Sequence, residues 1–88
     1  MKLNPEFVLR QVAGTWVALP VGQASVDFNG MISLNDSGAL LWRTLEQDGE
    51  REALADVLVA EYAVDRATAL KDADDFLADL AKAGCLMD

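Results

Sequence analysis

The stretch Ile32-Ser33-Leu34-Asn35-Asp36-Ser37-Gly38-Ala39-Leu40-Leu41-Trp42 divides the chain into two kinds of secondary structure. Up to Leu34 the pattern has a period of two. In Met31-Ile32-Ser33-Leu34, if Ile32 and Leu34 face a core, then Met31 and Ser33 face the other way, because side chains alternate along a strand. From Asn35 the period lengthens to about three and a half residues. Asn35 or Asp36 supplies an N-cap oxygen, and Ala39, Leu41, Trp42 and Leu45 then fall on one helical face.

Before this junction the sequence reads as short strands. Phe7 to Val12 is rich in β-formers, Ala13-Gly14 is a turn signal, and Thr15 to Leu19 resumes the strand pattern, which makes a hairpin. Pro20 and Gly22 end it. Ala24 to Phe28 reads as a short extension, and Asn29-Gly30 as a hairpin turn leading into the strand at 31–34.

After the junction, Asp48-Gly49 stops the first helix. A second begins near Glu50 with Leu54, Val57, Leu58 and Tyr62 on its apolar side. The chain turns over Tyr62-Ala63-Val64. Asp65 is placed to cap a third helix, whose stripe of Leu70, Ala73, Phe76, Leu77 and Leu80 extends to a left-handed C-cap at Gly84. Cys85-Leu86-Met87 is an apolar tail able to fold back on the core.

Strands followed by helices indicate α+β rather than an alternating parallel-sheet fold. The second and third helices, joined by a short turn beside an antiparallel sheet, predict a winged helix-turn-helix-like architecture: three short N-terminal strands, then three helices. With 88 residues the chain is one domain, with strands in 1–34 and the helical part in 35–84.

Composition removes several classes of function. There is no histidine, and hence no Ser-His or Cys-His nucleophile pair and no His-containing zinc site; a metal site would be carboxylate-only, and none is expected. The single cysteine, Cys85, cannot form an intramolecular disulfide and suits a reducing compartment. It reads as a small apolar plug, and Trp16 and Trp42 as structural aromatics. The N-terminal sequence has Pro5 and charges where a signal peptide needs an apolar run, and no stretch is long enough for a membrane span. A cytoplasmic protein without a membrane partner is the expectation.

The net charge of −8 belongs wholly to the second half. Residues 1–43 carry three basic and three acidic side chains, whereas 44–88 carry four basic against twelve acidic. Nucleic acid is bound by neutralising its phosphates, and no basic stripe offsets this acidity. On the third helix, Asp72, Asp75 and Asp79 share a face at i, i+3 and i+7. Such a run reads first as solvated surface. Phe76, Leu77 and Leu80 read first as core, with one of them available at a groove edge.

The succession N-P-E-F-V-L-R at 4–10, V-D-F-N-G at 26–30, the stretch at 32–42 and A-D-x-F-L-A-D-L-A-K-A-G-C-L at 73–86 resembles the PqqD-like family, named for a small protein of pyrroloquinoline quinone biosynthesis. The resemblance implies a recognition element for ribosomally made, post-translationally modified peptides. It would not be an enzyme and would need no cofactor. The leader of a precursor peptide would add as a strand to the sheet edge beside the third helix and be presented to a modifying enzyme such as a radical SAM protein. Carried onto this sequence, the receiving edge is Met31-Ile32-Ser33-Leu34 and the neighbouring helix face lies within Lys71 to Lys82, with Asp72, Asp75, Phe76, Asp79 and Leu80 as peptide-contacting candidates. The acidic residues would bias the groove toward a leader with Lys or Arg. Two rival readings are a winged-helix transcriptional regulator, which calls for a basic third helix, and a structural partner subunit of a biosynthetic enzyme. An exposed sheet edge also allows a homodimer formed by strand exchange.

Overall fold

A computed structural model describes residues 2–22, 32–47 and 49–87 of the chain. The elements, in order, are β1 (Lys2–Leu3), β2 (Phe7–Val12), β3 (Thr15–Pro20), β4 (Ile32–Leu34), α1 (Asp36–Gln47), α2 (Arg51–Tyr62), α3 (Arg66–Lys82) and β5 (Leu86–Met87). The fold is α+β: a three-stranded antiparallel sheet of order β2-β3-β4 precedes three helices. The expected extension at 24–28, the Asn29-Gly30 turn, Met31 and Asp48 lie outside the described residues.

The β2–β3 hairpin closes through Ala13 and Gly14, with Val12 paired to Thr15. Both turn residues have positive φ, 52° and 80°, as a two-residue type I′ turn requires. β4 joins through Trp16↔Leu34, Val17↔Ser33 and Ala18↔Ile32. Directly paired residues share a face, so Phe7, Leu9, Ala18, Ile32 and Leu34 all look toward the helices, and each belongs to or packs on the core.

The helices supply the rest of that core. Trp42, 1% exposed, is among its largest fully buried side chains, and Leu41, Leu45, Leu54, Ala55, Leu58, Ala69, Ala73, Leu77 and Leu80 surround it. Two apolar assignments shift from expectation. Tyr62 is 47% exposed, and Ala55 takes a place on the buried face of α2 instead. Eight residues of helix rotate Tyr62 about 80° past Leu54, which carries it off the apolar side. Leu70 and Phe76 are half-buried at the border of the α3 stripe.

β1 and β5 form a second, two-stranded antiparallel sheet, which the alternation pattern does not announce. What makes it possible is the end of α3. Gly84 adopts φ 80°, its N–H donates to Ala81 O at 3.2 Å, and Cys85 N–H donates to Leu80 O at 2.9 Å, which is a complete Schellman cap. The cap turns the tail back so that Asn4 N–H donates to Cys85 O at 2.7 Å, tying the two ends of the chain together. Cys85 is fully buried, and burial pushes its thiol up to about 11, so it behaves as the apolar plug expected.

α2 and α3, joined by Ala63-Val64-Asp65, are pinned together by two ion pairs. Arg51 grips Asp74 with two parallel bonds, Nε to Oδ1 at 2.5 Å and Nη2 to Oδ2 at 2.9 Å, and Arg66 pairs with Asp56. The hydrogen bond from Arg51 holds the Asp74 carboxyl below its ordinary value. Asp65 stands at the N-cap of α3, where its carboxylate accepts the Thr68 hydroxyl at 2.6 Å.

Ala63, the C-cap of α2, has φ 53° and ψ 32°, a left-handed conformation that strains a residue with a Cβ. Relief of that strain outweighs the added chain entropy of glycine, so Ala63→Gly raises stability by about 0.5–1 kcal/mol in urea titration; Ala13→Asn, which installs an Asn-Gly turn, does likewise. Because Asp74 is depressed in the folded state, its contribution is present above the ordinary carboxylate value and is lost as pH falls through the folded one. Asp74→Asn therefore lowers the urea midpoint at neutral pH, and the gap to the unaltered protein closes on acidification below about pH 4.

Candidate functional site

A groove of about 340 Å³ opens between β4 and α3. Its strand side is Ser33 and Leu34, continuing through Asn35, Ser37 and Gly38 at the start of α1; its helix side is Asp72, Phe76 and Asp79; Leu41 and Leu58 form the floor. Five of the nine residues expected from sequence to contact a peptide, Ser33, Leu34, Asp72, Phe76 and Asp79, are thus brought together in one place.

The strand side is held by the junction into α1. Asn35 Oδ1 accepts the Gly38 N–H at 2.8 Å and the Ser37 hydroxyl at 3.0 Å, and Asn35 O accepts the Ala39 N–H at 3.0 Å, so Asn35 is the N-cap. Gly38 is itself buried. A Cβ there would lie 3.3 Å from Leu34 Cβ and 3.2 Å from Asn35 Oδ1, closer than side chains ordinarily pack, and glycine lets α1 start directly against β4.

On α3, helical geometry explains which candidates reach the groove. Measured around the axis from Asp72, Asp79 falls at about −20° and Phe76 at about +40°, a narrow strip. Leu80 lies near +80° with Ala73 near +100°, at the centre of the buried stripe. Leu80 is accordingly 1% exposed and belongs to the core, not to the groove wall. Asp75 lies near −60°, on the side away from Phe76, where it accepts a bond from Lys71 Nζ at 3.2 Å. It does not line the groove. Ile32 is half-buried and packs on the core through its side chain, and its backbone groups are directed to Ala18 of β3, so it offers nothing to the outer edge. Met31 lies outside the described residues.

The charges around the groove are one-sided. Asp74, Asp56 and Asp75 are matched by Arg51, Arg66 and Lys71. Among the described residues, Asp72 and Asp79 have no cationic partner, and no cation lines the groove.

A second and larger groove, about 910 Å³, lies toward the other edge of the sheet, between β1–β2 and the C-terminal end of α1. Sequence reading did not find it. Arg10 and Arg43 line it, and the Arg43 guanidinium stands 4.4 Å over the ring of Trp16. The only signal available was the pairing of a strand tryptophan with a helix arginine, which no local spacing connects.

The two edges of the sheet differ in their backbone groups. Counting the alternation from the two-residue turn, Leu9 on β2 and Ser33 on β4 direct N–H and C=O outward. On β2 the Arg10 guanidinium already donates to Leu9 O at 2.8 Å. On β4 the outward groups of Ser33 face the groove side of the sheet. Among the described residues, no group of three or more cysteine or carboxylate side chains is arranged to hold a metal ion, and no helix is long and apolar enough to cross a membrane.

Comparison with known proteins fits this geometry. The family model described as coenzyme PQQ synthesis protein D (PqqD) matches residues 15–86. Among solved structures, TbiB1 in complex with the TbiA(β) leader peptide is similar over the whole of both chains, with 28% identity and a TM-score of 0.79. A lasso peptide synthetase B1 complexed with the leader peptide is similar over 99% of this chain and 96% of its own, with 27% identity and a TM-score of 0.75. No curated protein gives a significant match. With the family match spanning β3 to β5, and so the sheet edge, the capped junction and all three helices, this chain belongs to the PqqD family.

Proposed function

We propose that this protein is a peptide-recognition module: the leader of a ribosomally made precursor adds as a strand to the outer edge of β4, and the module presents that precursor to a modifying enzyme. The observation that carries this reading is that, among the described residues, β4 is an outermost strand whose edge borders the Ser33–Phe76 groove. An edge strand offers main-chain hydrogen bonds to any extended peptide, and an adjoining groove selects among side chains. Ser33 supplies an outward donor and acceptor, while Leu34, Leu41, Leu58 and Phe76 supply an apolar lining for an anchor residue. The competing edge, β2, has its Leu9 carbonyl occupied by Arg10.

Both similar structures hold leader peptides, which supports the same ligand class here. The chain's role is that of carrier and not catalyst, with the chemistry left to a partner such as a radical SAM enzyme acting in the cytoplasm. A DNA-binding role is disfavoured by α3, which bears Asp72, Asp74, Asp75 and Asp79 against Arg66, Lys71 and Lys82.

The test removes a backbone donor without disturbing the sheet. The Ser33 N–H points away from β3, so Ser33→Pro leaves the β3–β4 bonds intact while deleting the donor and adding bulk at the edge. Affinity for a fluorescently labelled leader of the pathway's precursor, read by anisotropy, falls about tenfold or more, in line with a lost hydrogen bond of about 1 kcal/mol plus steric obstruction. Circular dichroism remains that of the unaltered protein. Phe76→Ala weakens the same leader by removing its apolar wall. Unchanged affinity in Ser33→Pro would refute strand addition at β4.

A further inference from the structure

We propose that the leader taken by this groove carries two cationic residues, Lys or Arg, four positions apart, with an apolar residue midway between them. The inference rests on the reading of the β4–α3 groove as the leader site and specifies the chemistry of that leader.

The charges support it first. Three of the aspartates on α2 and α3 are matched within the fold, Asp56 by Arg66, Asp74 by Arg51 and Asp75 by Lys71. Asp72 and Asp79 are not matched among the described residues, and they stand on either side of Phe76 along the wall of a groove whose other lining residues are neutral. An extended peptide that runs along α3 in this groove meets carboxylate, aromatic ring and carboxylate in succession. A leader with Asp or Glu at the outer positions is repelled, a neutral one gains nothing there, and a cationic one is drawn in and held in register.

The spacing follows from the geometry of the two elements. Along α3, Phe76 lies about 6 Å and Asp79 about 10.5 Å beyond Asp72, at about 1.5 Å per residue. A strand advances about 3.4 Å per residue and presents every second side chain to one side. Residues p, p+2 and p+4 of the leader thus stand at 0, about 6.8 and about 13.6 Å. The middle one meets Phe76. The outer two overshoot the pair of carboxylates by about 3 Å in all, which the long flexible stems of Lys and Arg take up by leaning inward. Cations two apart would leave the ring without an apolar partner, and cations three apart would point to opposite sides of the strand.

The experiment is a selection of twelve-residue random peptides, displayed and captured on the full chain, followed by synthesis of the enriched sequences. Enrichment of Lys or Arg at two positions four apart with Leu, Ile, Val, Met or Phe between them is expected. The enriched peptide binds Asp72→Asn/Asp79→Asn about three- to tenfold more weakly, with a shallower salt dependence, as loss of two exposed charge pairs dictates. Asp75→Asn, the same chemical change on the side that does not line the groove, leaves its affinity unchanged. Enrichment of the apolar position alone, with equal binding to the double variant, overturns the charge inference and leaves the site standing. Selected peptides that bind Ser33→Pro as tightly as the unaltered chain sit elsewhere, and that result overturns the site itself.

Discussion

The arrangement of the site depends on how closely α1 starts against β4. Asn35 satisfies the first turn of the helix through its side-chain oxygen, and Gly38 removes the one Cβ that would hold the helix away from Leu34. This fixes β4 as a short edge strand whose last residue, Leu34, packs on the core, and it directs α1 inward so that Leu41, Trp42 and Leu45 are buried. Were α1 to begin one turn later, the strand would have no rigid end and the groove would lose its wall from Ser33 to Gly38. A single polar cap and a missing methyl group therefore link the sheet to the helical layer.

The opposite wall is set by different forces. α3 is held by its buried stripe, which sets its rotation about its own axis, and two arginine clamps tie it to α2. With Ala69, Ala73, Leu77 and Leu80 committed to the core, Phe76 falls at the border and Asp72 and Asp79 just outside it. The clamps lie at the surface, so they add little to stability and weaken with salt. Their structural effect is selective: they engage Asp74 and Asp56, and among the described residues the groove carboxylates stay unmatched. Asp56, Asp74 and Asp75 are thus matched within the helical pair, while Asp72 and Asp79 line the groove.

Most of this fold was readable from sequence because its signals are local and periodic. The Ala13-Gly14 turn, the change of period after Leu34, the Asn35 cap and the Gly84 stop each depend on residues within one turn of each other. The β1–β5 sheet was not readable, since two-residue strands carry no alternation and their partner lies at the other end of the chain. At the groove, sequence named the strand and the helix that border it but grouped Asp75 with Asp72 and Asp79. Spacing of three or four residues places side chains within about 40–60° of one another, and only the core contacts of Leu77 and Leu80 decide where that sector is divided. The same rotation that turns Leu80 inward turns Asp75 away to Lys71.

A three-stranded sheet has two edges, and each is a template for unwanted pairing unless something covers it. This protein treats them unequally. β2 is the longer edge at six residues, and there Arg10 folds its guanidinium onto the outward carbonyl of Leu9, placing a hydrated charge where an approaching strand would need an acceptor. β4 is three residues long, offers the N–H and C=O of Ser33, and is flanked by a groove with two carboxylates. The molecule as a whole carries a charge of −8, which repels its like and opposes strand pairing between copies. The acidic balance that argues against nucleic acid thus has a second consequence at the sheet edge, where like charge opposes the approach of another copy of the chain.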